Sequence, residues 1–254
     1  MPKFFVTEEQ INNSSITIKG QDVKHIKNVL RKKPGDQITI CNAEQSLDYL
    51  CEITNIEDET ISCNIVEKIE NNVESNIKVT IFQGLPKADK MELVIQKSVE
   101  LGVFDIIPIE MKRCVVKLNE KDKNKKIDRW QKISEVASKQ SGRNIIPKIN
   151  QIINIKEICN LYEEYDIVLV AYENEEKNTL KEELNKIKAQ IQGQDQIKIG
   201  VLIGPEGGIA PEEIELLNKI GAKIITLGKR ILRTETVALN VLSIIMYELE
   251  EARQ

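Results

Sequence analysis

Two strand, turn and helix units follow each other directly over residues 198–249, and they constrain the fold more than any other part of the chain. The first has an apolar strand pattern over 199–203 and the turn GPEGG over 204–208. The second has a strand and turn over 223–228 and an apolar helix over 234–249. In open α/β sheets, ligands bind at the carboxyl ends of the strands. Both turns are therefore expected to border one ligand site.

The glycines of the first turn are suited to holding a ligand. A residue without Cβ lets the backbone approach a ligand closely, and Gly207 and Gly208 can adopt positive φ angles. The same pattern also fits an ordinary strand-to-helix turn. It is not a phosphate-binding loop, because no Gly-Lys-Ser/Thr follows Gly208, and the dinucleotide spacing GxGxxG is absent. These residues alone leave the ligand class open.

Upstream of these units the chain divides into two parts at a polar segment, EKIENNVESN, over 67–76. After it, strands and helices alternate, which predicts a mostly parallel sheet covered by helices. Before it, short strand patterns surround one helix pattern, which predicts a small β-barrel with one helix. The predicted strands are 4–6, 16–18, 37–41, 49–53, 61–66, 77–82, 104–109 and 166–172, and the predicted helices are 21–31, 90–101, 128–143 and 179–191.

Composition excludes several classes of protein. The 254 residues are enough for two domains, and the chain has five widely spaced cysteines and one histidine. This predicts neither a disulfide framework nor a metal site, and the cysteines are expected to be small apolar fillers. No signal peptide or membrane-spanning run is evident, so we expect a cytoplasmic protein.

Charge is distributed unevenly along the chain. The net charge is −4, yet nine basic residues lie in 112–132 and another basic cluster lies in 19–33. Two such patches are able to hold a polyanion while the remaining surface repels it. Lysine-rich helix faces that are merely solvated would have the same composition.

Four sequence motifs together carry a resemblance to a known family. GPEGG at 204–208 followed by LGKRILRTET at 227–236 is similar to the carboxyl-terminal half of the SPOUT methyltransferases. KADKMELVIQKSVELGV at 87–103, QSGR at 140–143 and HIKNVLR before PGD resemble the same superfamily. Within that superfamily, these motifs are most similar to those of the bacterial enzymes that methylate N3 of a uridine in 16S ribosomal RNA. Ala210 departs from the family, in which a capping Ser or Thr is common.

The resemblance implies an α/β fold with two domains. A PUA-like β-barrel RNA-binding domain would span 1–72, and a knotted SPOUT (trefoil-knot) methyltransferase domain would span 73–254. The implied cofactor is S-adenosyl-L-methionine, with no metal, and the implied partner is 16S ribosomal RNA or the assembled small subunit. The cofactor-binding residues it implies are Tyr172, Glu173, Ile203, Gly204, Pro205, Glu206, Gly208, Leu227, Gly228, Ile231 and Leu232.

The predicted catalytic residues are Arg233, Glu235 and Arg143. Methylation of a uracil nitrogen needs alignment, loss of a proton and stabilisation of the resulting anion, and Arg233 lies beside a helix amino terminus that favours anions. Glu235 is either a proton acceptor or an acid in a first helical turn, and we favour the second. Arg143 is either a helix-end cation or a contact to RNA. The predicted RNA-binding residues are Lys24, His25, Arg31, Arg113 and Arg143.

The carboxyl-terminal helix is more apolar than one core requires. Its apolar side chains cover an arc of about 220°, against the roughly 100° stripe of a surface helix. A homodimer through this helix is the expected explanation, and the resemblance implies the same. Burial of the helix within the monomer is the alternative. The residues concerned are Val237, Ala238, Leu239, Val241, Leu242, Ile244, Ile245, Met246 and Leu249.

Three functions are therefore compared. The first is methylation of N3 of a uridine in 16S ribosomal RNA. The second is a SPOUT enzyme that methylates a ribose 2′-oxygen or acts on transfer RNA. The third is an RNA-binding protein without catalysis.

Overall fold

The computed structural model describes residues 3–45, 47–69, 73–190 and 196–250. The chain forms two compact units. The first contains 1–74 together with 138–146, and the second contains 75–137 and 147–254. The sequence pattern carried no signal that 138–146 packs with the amino-terminal segment.

The first unit is built on a six-stranded sheet. Its strands are β1 (Lys3–Val6), β2 (Ile11–Asn12), β3 (Ser15–Lys19), β4 (Gln37–Asn42), β5 (Leu47–Ile56) and β6 (Thr60–Ile69), in the spatial order β1-β4-β5-β6-β3-β2. Neighbouring strands are antiparallel except for β1 and β4. Alternate apolar residues face one core, as a strand period of two requires, for example Ile16 and Ile18 or Ile38 and Ile40.

The helix predicted over 21–31 is shorter and less regular than expected. It consists of α1 (Gln21–Lys24) and one π-helical turn (His25–Val29), in which the Leu30 amide donates to the His25 carbonyl at 3.0 Å. The apolar spacing of Val23, Ile26, Val29 and Leu30 predicts a single buried face for this helix. The wider turn rotates Val29 away from the core, so Val29 is 69% exposed and this prediction is wrong for Val29.

The second unit is a parallel sheet between two layers of helices. Its strands are β7 (Ile77–Gly84), β8 (Asp105–Glu110), β9 (Lys148–Ile149), β10 (Ile153–Asn154), β11 (Ile167–Ala171), β12 (Ile197–Ile203) and β13 (Lys223–Ile225). The order is β10-β8-β7-β12-β11-β13, with β9 also paired to β8, and these pairs are parallel. The predicted mostly parallel sheet is therefore confirmed.

Within the described residues, six helices cover this sheet. They are α2 (Lys90–Glu100), α3 (Glu120–Ser141), α4 (Ile155–Leu161), α5 (Leu180–Gln190), α6 (Pro211–Lys219) and α7 (Thr234–Glu250). Apolar residues of α2, α5 and α7 share one core with Ile77, Val79 and Ile81 of β7, while α4 and α6 share the opposite core with Phe82. Side chains along each strand point alternately to the two faces of the sheet, and both faces are therefore buried. The described helices include none that is long and apolar enough to cross a membrane.

Helix α3 begins eight residues before the predicted start at 128. Residues 120–127 have few apolar side chains, so periodicity gave no signal there. Asn119 is a signal for this helix start, because asparagine is a preferred amino-terminal cap. Its Oδ1 accepts a hydrogen bond from the Asp122 amide at 2.9 Å. The helix ends at Ser141, and Gly142 has the left-handed φ of +72° that is common after a helix.

The cysteines of the first unit are core residues, as predicted. Cys41, Cys51 and Cys63 are fully buried. Burial raises the pKa of each thiol to about 12. The thiols are therefore protonated at neutral pH and act as small apolar side chains.

Candidate functional site

A cavity of about 540 Å³ opens in the second unit at the carboxyl ends of β11, β12 and β13. Three loop segments line it, 171–173, 203–208 and 226–234, and Lys90 and Val237 complete the lining. The expectation that the two glycine-bearing turns border one site is confirmed. The pairing order explains why, because β11 lies between β12 and β13 and the three strands are parallel.

Each of the eleven predicted cofactor-binding residues lines this cavity. Arg233 lines it as well, with an exposed side chain, as do its exposed neighbours Arg230 and Lys229. Ile231 is 87% exposed and is the most exposed of the large apolar side chains described. The cavity therefore combines exposed backbone, cationic side chains and an apolar contact surface. That these residues hold a cofactor stays a prediction.

Glycine is required where the first loop approaches its neighbours. A Cβ on Gly84, the last residue of β7, would lie 2.7 Å from the Pro205 backbone nitrogen and 2.9 Å from the Met111 sulfur. Gly208 has φ +72°, and a Cβ there would lie 2.2 Å from Glu173 Oε1. The loop is thus seated against β7 on one side and against Glu173 on the other.

A chain of hydrogen bonds joins β7, the start of α7 and the loop after β12. The Gln83 side-chain amide donates to Thr234 Oγ1 at 2.8 Å, and Thr234 Oγ1 donates to the Gly204 carbonyl at 2.7 Å. Gln83 is fully buried and Thr234 nearly so. Because buried hydrogen bonds of this kind are costly to break, the chain fixes the start of α7 against the loop after β12.

Three charged side chains meet beside the cavity, and two of them, Lys90 and Glu206, line it. The Lys90 ammonium lies 3.0 Å from Glu206 Oε1 and 3.4 Å from Glu235 Oε2. Burial opposes ionisation of Glu206, yet hydrogen bonds from its own amide, the Lys87 amide and the Lys90 ammonium outweigh this and lower its pKa. Hydrogen bonding to Glu206, together with the negative charge of the nearby Glu235 carboxylate, raises the pKa of Lys90. Lys90 and Glu206 are therefore both charged at neutral pH.

Glu235 itself does not line the cavity. It lies in the first turn of α7, where its side chain is 14% exposed and faces Lys90. A carboxylate in this position is stabilised by the helix amino terminus. The role of Glu235 stays a prediction.

Arg143 belongs to the first unit and is not among the cavity residues. Its Nη2 lies 2.6 Å from Glu74 Oε2, and both side chains are largely buried. Glu74 also accepts hydrogen bonds from the amides of Asn144 and Ile145. Burial opposes ionisation of Glu74, but the Arg143 guanidinium and these amides hold its pKa below the ordinary value. The structure thus shows a structural role for Arg143, and its predicted contact with RNA stays a prediction.

The other predicted RNA-binding residues are exposed. In the first unit, Lys24 is the last residue of α1, His25 begins the π-helical turn and Arg31 follows it. His25 packs its ring edge-on against Phe4 with centroids 6.0 Å apart. Arg31 has a left-handed φ of +52°, which is uncommon for a residue with a side chain. In the second unit, Arg113 Nη1 donates to the Gly207 carbonyl at 3.1 Å, so Arg113 supports the GPEGG loop.

Sequence reasoning missed Lys90, Thr234 and Gln83. Gln83 and Thr234 lie 151 residues apart, and no local pattern connects them. Lys90 is the first residue of an amphipathic helix, where a lysine has no distinguishing signal. The motif around Lys90 is distinguished only by its resemblance to a family.

Comparison with known proteins now assigns a class. Residues 73–246 match the family described as RNA methyltransferase domain, and residues 18–66 match the RNA methyltransferase PUA domain. The molecule therefore has a mixed α/β RNA methyltransferase fold with an amino-terminal PUA-like domain. The ribosomal RNA small subunit methyltransferase E of Bacillus subtilis is 37% identical, and the match covers 100% of this chain and 99% of that protein. The chain belongs to the ribosomal RNA small subunit methyltransferase E family.

Two solved structures agree with this assignment. One is a ribosomal RNA small subunit methyltransferase E from Neisseria gonorrhoeae bound to S-adenosylmethionine, with 30% identity, a TM-score of 0.82 and 97% of each chain covered. The other is a methyltransferase from Legionella pneumophila in complex with the same cofactor, with 28% identity, a TM-score of 0.82 and 96% of each chain covered.

Proposed function

We propose that this protein transfers a methyl group from S-adenosyl-L-methionine to N3 of a uridine in 16S ribosomal RNA. The observation that carries the proposal is that the two glycine-bearing turns border one cavity in a chain of this family. The N3 position rests on the motif resemblance, and the donor rests on the relatives that bind it. Such a substrate would be met in the cytoplasm, free or in the small ribosomal subunit.

The cavity residues fit S-adenosylmethionine. The cavity volume of about 540 Å³ lies in the range of sites that bury a small ligand. The backbone at Gly204, Gly208 and Gly228 is open to close approach, and Leu227, Ile231 and Leu232 supply apolar contact. Glu173 and Glu206 supply negative charge for a cationic ligand. When bound, the cofactor supplies an electrophilic methyl group.

The reaction requires a uracil that has lost its N3 proton, and the resulting anion needs stabilisation. Arg233 is the proposed source of charge, because its exposed side chain lines the cavity at the amino terminus of α7. We assign Glu235 to the support of the helix start and of Lys90. For Arg143, a contact to RNA remains the proposal from the sequence, to be weighed against its ion pair with Glu74.

The amino-terminal residues 1–72 are proposed as the PUA-like RNA-binding domain and 73–254 as the methyltransferase domain. Lys24, His25, Arg31 and Arg113 are proposed to contact RNA, since each is exposed and the first three lie within residues 24–31, which include the π-helical turn. Contacts of this kind with phosphate weaken as salt increases.

Two larger-scale features belong to the same proposal. The resemblance favours a trefoil knot in the methyltransferase domain. It also favours a homodimer through α7, whose outward face contains Thr236, Asn240, Ser243 and Tyr247 and carries no charge over more than three turns. A face without charge is typical of the centre of a protein interface.

Product analysis tests the function directly. Purified protein is incubated with methyl-labelled S-adenosylmethionine and, in separate reactions, small ribosomal subunits, free 16S ribosomal RNA and transfer RNA. The RNA is then digested to nucleosides and analysed by mass spectrometry. We expect 3-methyluridine from at least one of the two ribosomal substrates. A 2′-O-methylated nucleoside or a product from transfer RNA alone would support the second function, and no donor binding by calorimetry would support RNA binding without catalysis.

A further inference from the structure

Lys90 joins three segments of the second unit that are distant in sequence. It is the first residue of α2, its ammonium contacts Glu206 in the loop after β12, and it also contacts Glu235 in the first turn of α7. Glu206 lines the cavity, and Glu235 immediately follows the cavity residues Arg233 and Thr234. The Lys90 ammonium therefore lies between the loop after β12 and the first turn of α7, which follows the cavity segment 226–234.

The approach of α2 to Glu206 is built from more than this ion pair. The Lys87 amide donates to both carboxylate oxygens of Glu206, at 3.0 and 3.3 Å. Between Lys87 and Lys90, Ala88 has a left-handed φ of +52°. A residue with a side chain keeps such a conformation only when its surroundings impose it. The turn before α2 is thus shaped so that an amide and an ammonium reach the same carboxylate.

Glu235 depends on Lys90 in a different way. Its Oε2 is buried and, among the described residues, has no hydrogen-bond partner, so the ammonium 3.4 Å away is the contact that compensates its charge. A buried carboxylate that loses its cation is strongly unfavourable. Loss of Lys90 would therefore strain the first turn of α7, which includes Thr234 and its hydrogen bond to the Gly204 carbonyl.

We propose that Lys90 is a positioning residue of the methyl-transfer site, whose ammonium holds Glu206 and Glu235 and thereby sets the spacing of the two cavity loops. The inference rests on the proposed function in one respect, that the cavity binds the methyl donor. Lys90 does not act as a base, because both carboxylates favour its charged form. Its effect on the donor passes through the two loops.

The test measures donor affinity by calorimetry in the complete protein. We expect Lys90→Met to weaken binding of S-adenosylmethionine about tenfold, which corresponds to about 1.4 kcal/mol. Lys90→Arg keeps the charge and should restore most of the affinity. The matched control is Lys97→Met, which removes a lysine of the same helix from an exposed pair with Glu100 and should bind the donor as the unmodified protein does.

A double-mutant cycle separates positioning from general loss of structure. Glu235→Gln removes the buried charge, so the double variant with Lys90→Met should bind the donor better than Lys90→Met alone. Circular dichroism of each variant verifies folding, and Lys90→Arg keeps the test decisive if Lys90→Met does not fold. Unchanged donor affinity in a folded Lys90→Met variant, or strictly additive effects in the cycle, would overturn the inference.

Donor binding by the unmodified protein tests the proposed function independently of the role of Lys90. If the unmodified protein does not bind the donor, the proposed function fails before Lys90 is considered. If it binds the donor and folded Lys90→Met loses only turnover at full affinity, then the proposed function stands and the positioning role is wrong.

Discussion

At the scale of single residues, two kinds of position define the cavity: glycines that permit close approach and side chains that supply charge. Gly84 is absent from the motif that identified the site, yet Pro205 packs directly on its Cα. Arg233 was identified in the sequence because it precedes an apolar helix. Both positions lead to predictions that separate binding of the donor from the chemical step.

A side chain at Gly84 should displace the GPEGG loop. Overpacking of this kind typically costs about 1–3 kcal/mol, and the contacted atoms include the Pro205 backbone nitrogen, which has little freedom to move. We expect Gly84→Ala to weaken donor binding about tenfold, measured by calorimetry. Gly35→Ala, which strains a turn in the first unit at φ +90°, should lower stability and leave donor binding unchanged. Equal donor affinity in both variants would contradict the proposed seating of the loop.

Removal of the Arg233 charge should affect turnover more than donor binding. The loss of one group that stabilises a developing anion commonly lowers kcat by about 100-fold. We expect Arg233→Ala to show a decrease of about that size with a nearly unchanged donor Kd, and Arg233→Lys to recover part of it. Lys219→Ala, an exposed position on α6, is the control. A selective loss of donor affinity in Arg233→Ala would instead assign Arg233 to the cofactor.

At the scale of elements, α3 and α7 show how packing modifies a sequence pattern. Helix α3 has an amino-terminal half with few apolar residues and begins at its Asn119 cap. Helix α7 buries six of the nine apolar residues noted in its sequence and leaves Val237, Leu239 and Ile244 partly buried. Because α2, α5, β7 and β12 cover most of the apolar arc, less of it is left for a partner than the sequence indicated.

The segment that follows α3 should depend on Glu74 in a pH-dependent manner. The pKa of Glu74 is lowered in the folded protein, so its stabilising effect is present above the unfolded value of 4.5 and is lost as the pH falls through the lower, folded value. Removal of one partner from a buried ion pair costs about 3 kcal/mol. We expect Glu74→Gln to be destabilised by about this amount at neutral pH.

The measurement is urea unfolding of Glu74→Gln and of the unmodified protein as a function of pH. The difference between the two should be largest at pH 7 and should shrink as the pH falls below 4.5. Glu52→Gln changes an exposed carboxylate on β5 and serves as the control with little effect at either pH. A difference that does not vary with pH would show that ionisation of Glu74 contributes nothing.

At the scale of the whole molecule, the two compact units do not follow the simple order of the chain. Residues 138–146 belong to the first unit, where the Lys3 ammonium donates to Asn144 Oδ1 at 2.5 Å and also pairs with buried Asp48. Cys41 Sγ lies 3.5 Å from the Asn144 carbonyl oxygen. A fragment that begins at residue 73 would retain 138–146 without these partners.

We therefore expect the fragment 73–254 to be less stable than the complete chain. The buried Asn144 would lose its hydrogen bond from the Lys3 ammonium, and a hydrogen bond to a charged group contributes about 1.5–3 kcal/mol. The expected results are a thermal midpoint lower by several degrees and faster proteolysis within 138–146. Co-expression with residues 1–72 should reverse both effects. A fragment as stable and as protease-resistant as the complete chain would show that 138–146 does not need the amino-terminal segment.

The sequence by itself determined the alternation of strands and helices, the parallel sheet and the two turns at its edge. These features depend on local periodicity, on glycine and on the rule that parallel strands end together. The eleven residues proposed for the cofactor were implied by the family resemblance of these motifs. Nine of them lie within or beside the two turns, while Tyr172 and Glu173 follow β11.

Only the tertiary structure decided which distant groups meet. Lys87 and Glu206 are 119 residues apart, and Gln83 and Thr234 are 151 residues apart. Tertiary packing also decided three other features. These are the position of Lys90 between two carboxylates, the ion pair of Arg143 with Glu74 and the membership of 138–146 in the first unit. Polar partners that meet across such separations leave no periodic pattern in either segment, because their pairing is set by the packing of the elements that carry them.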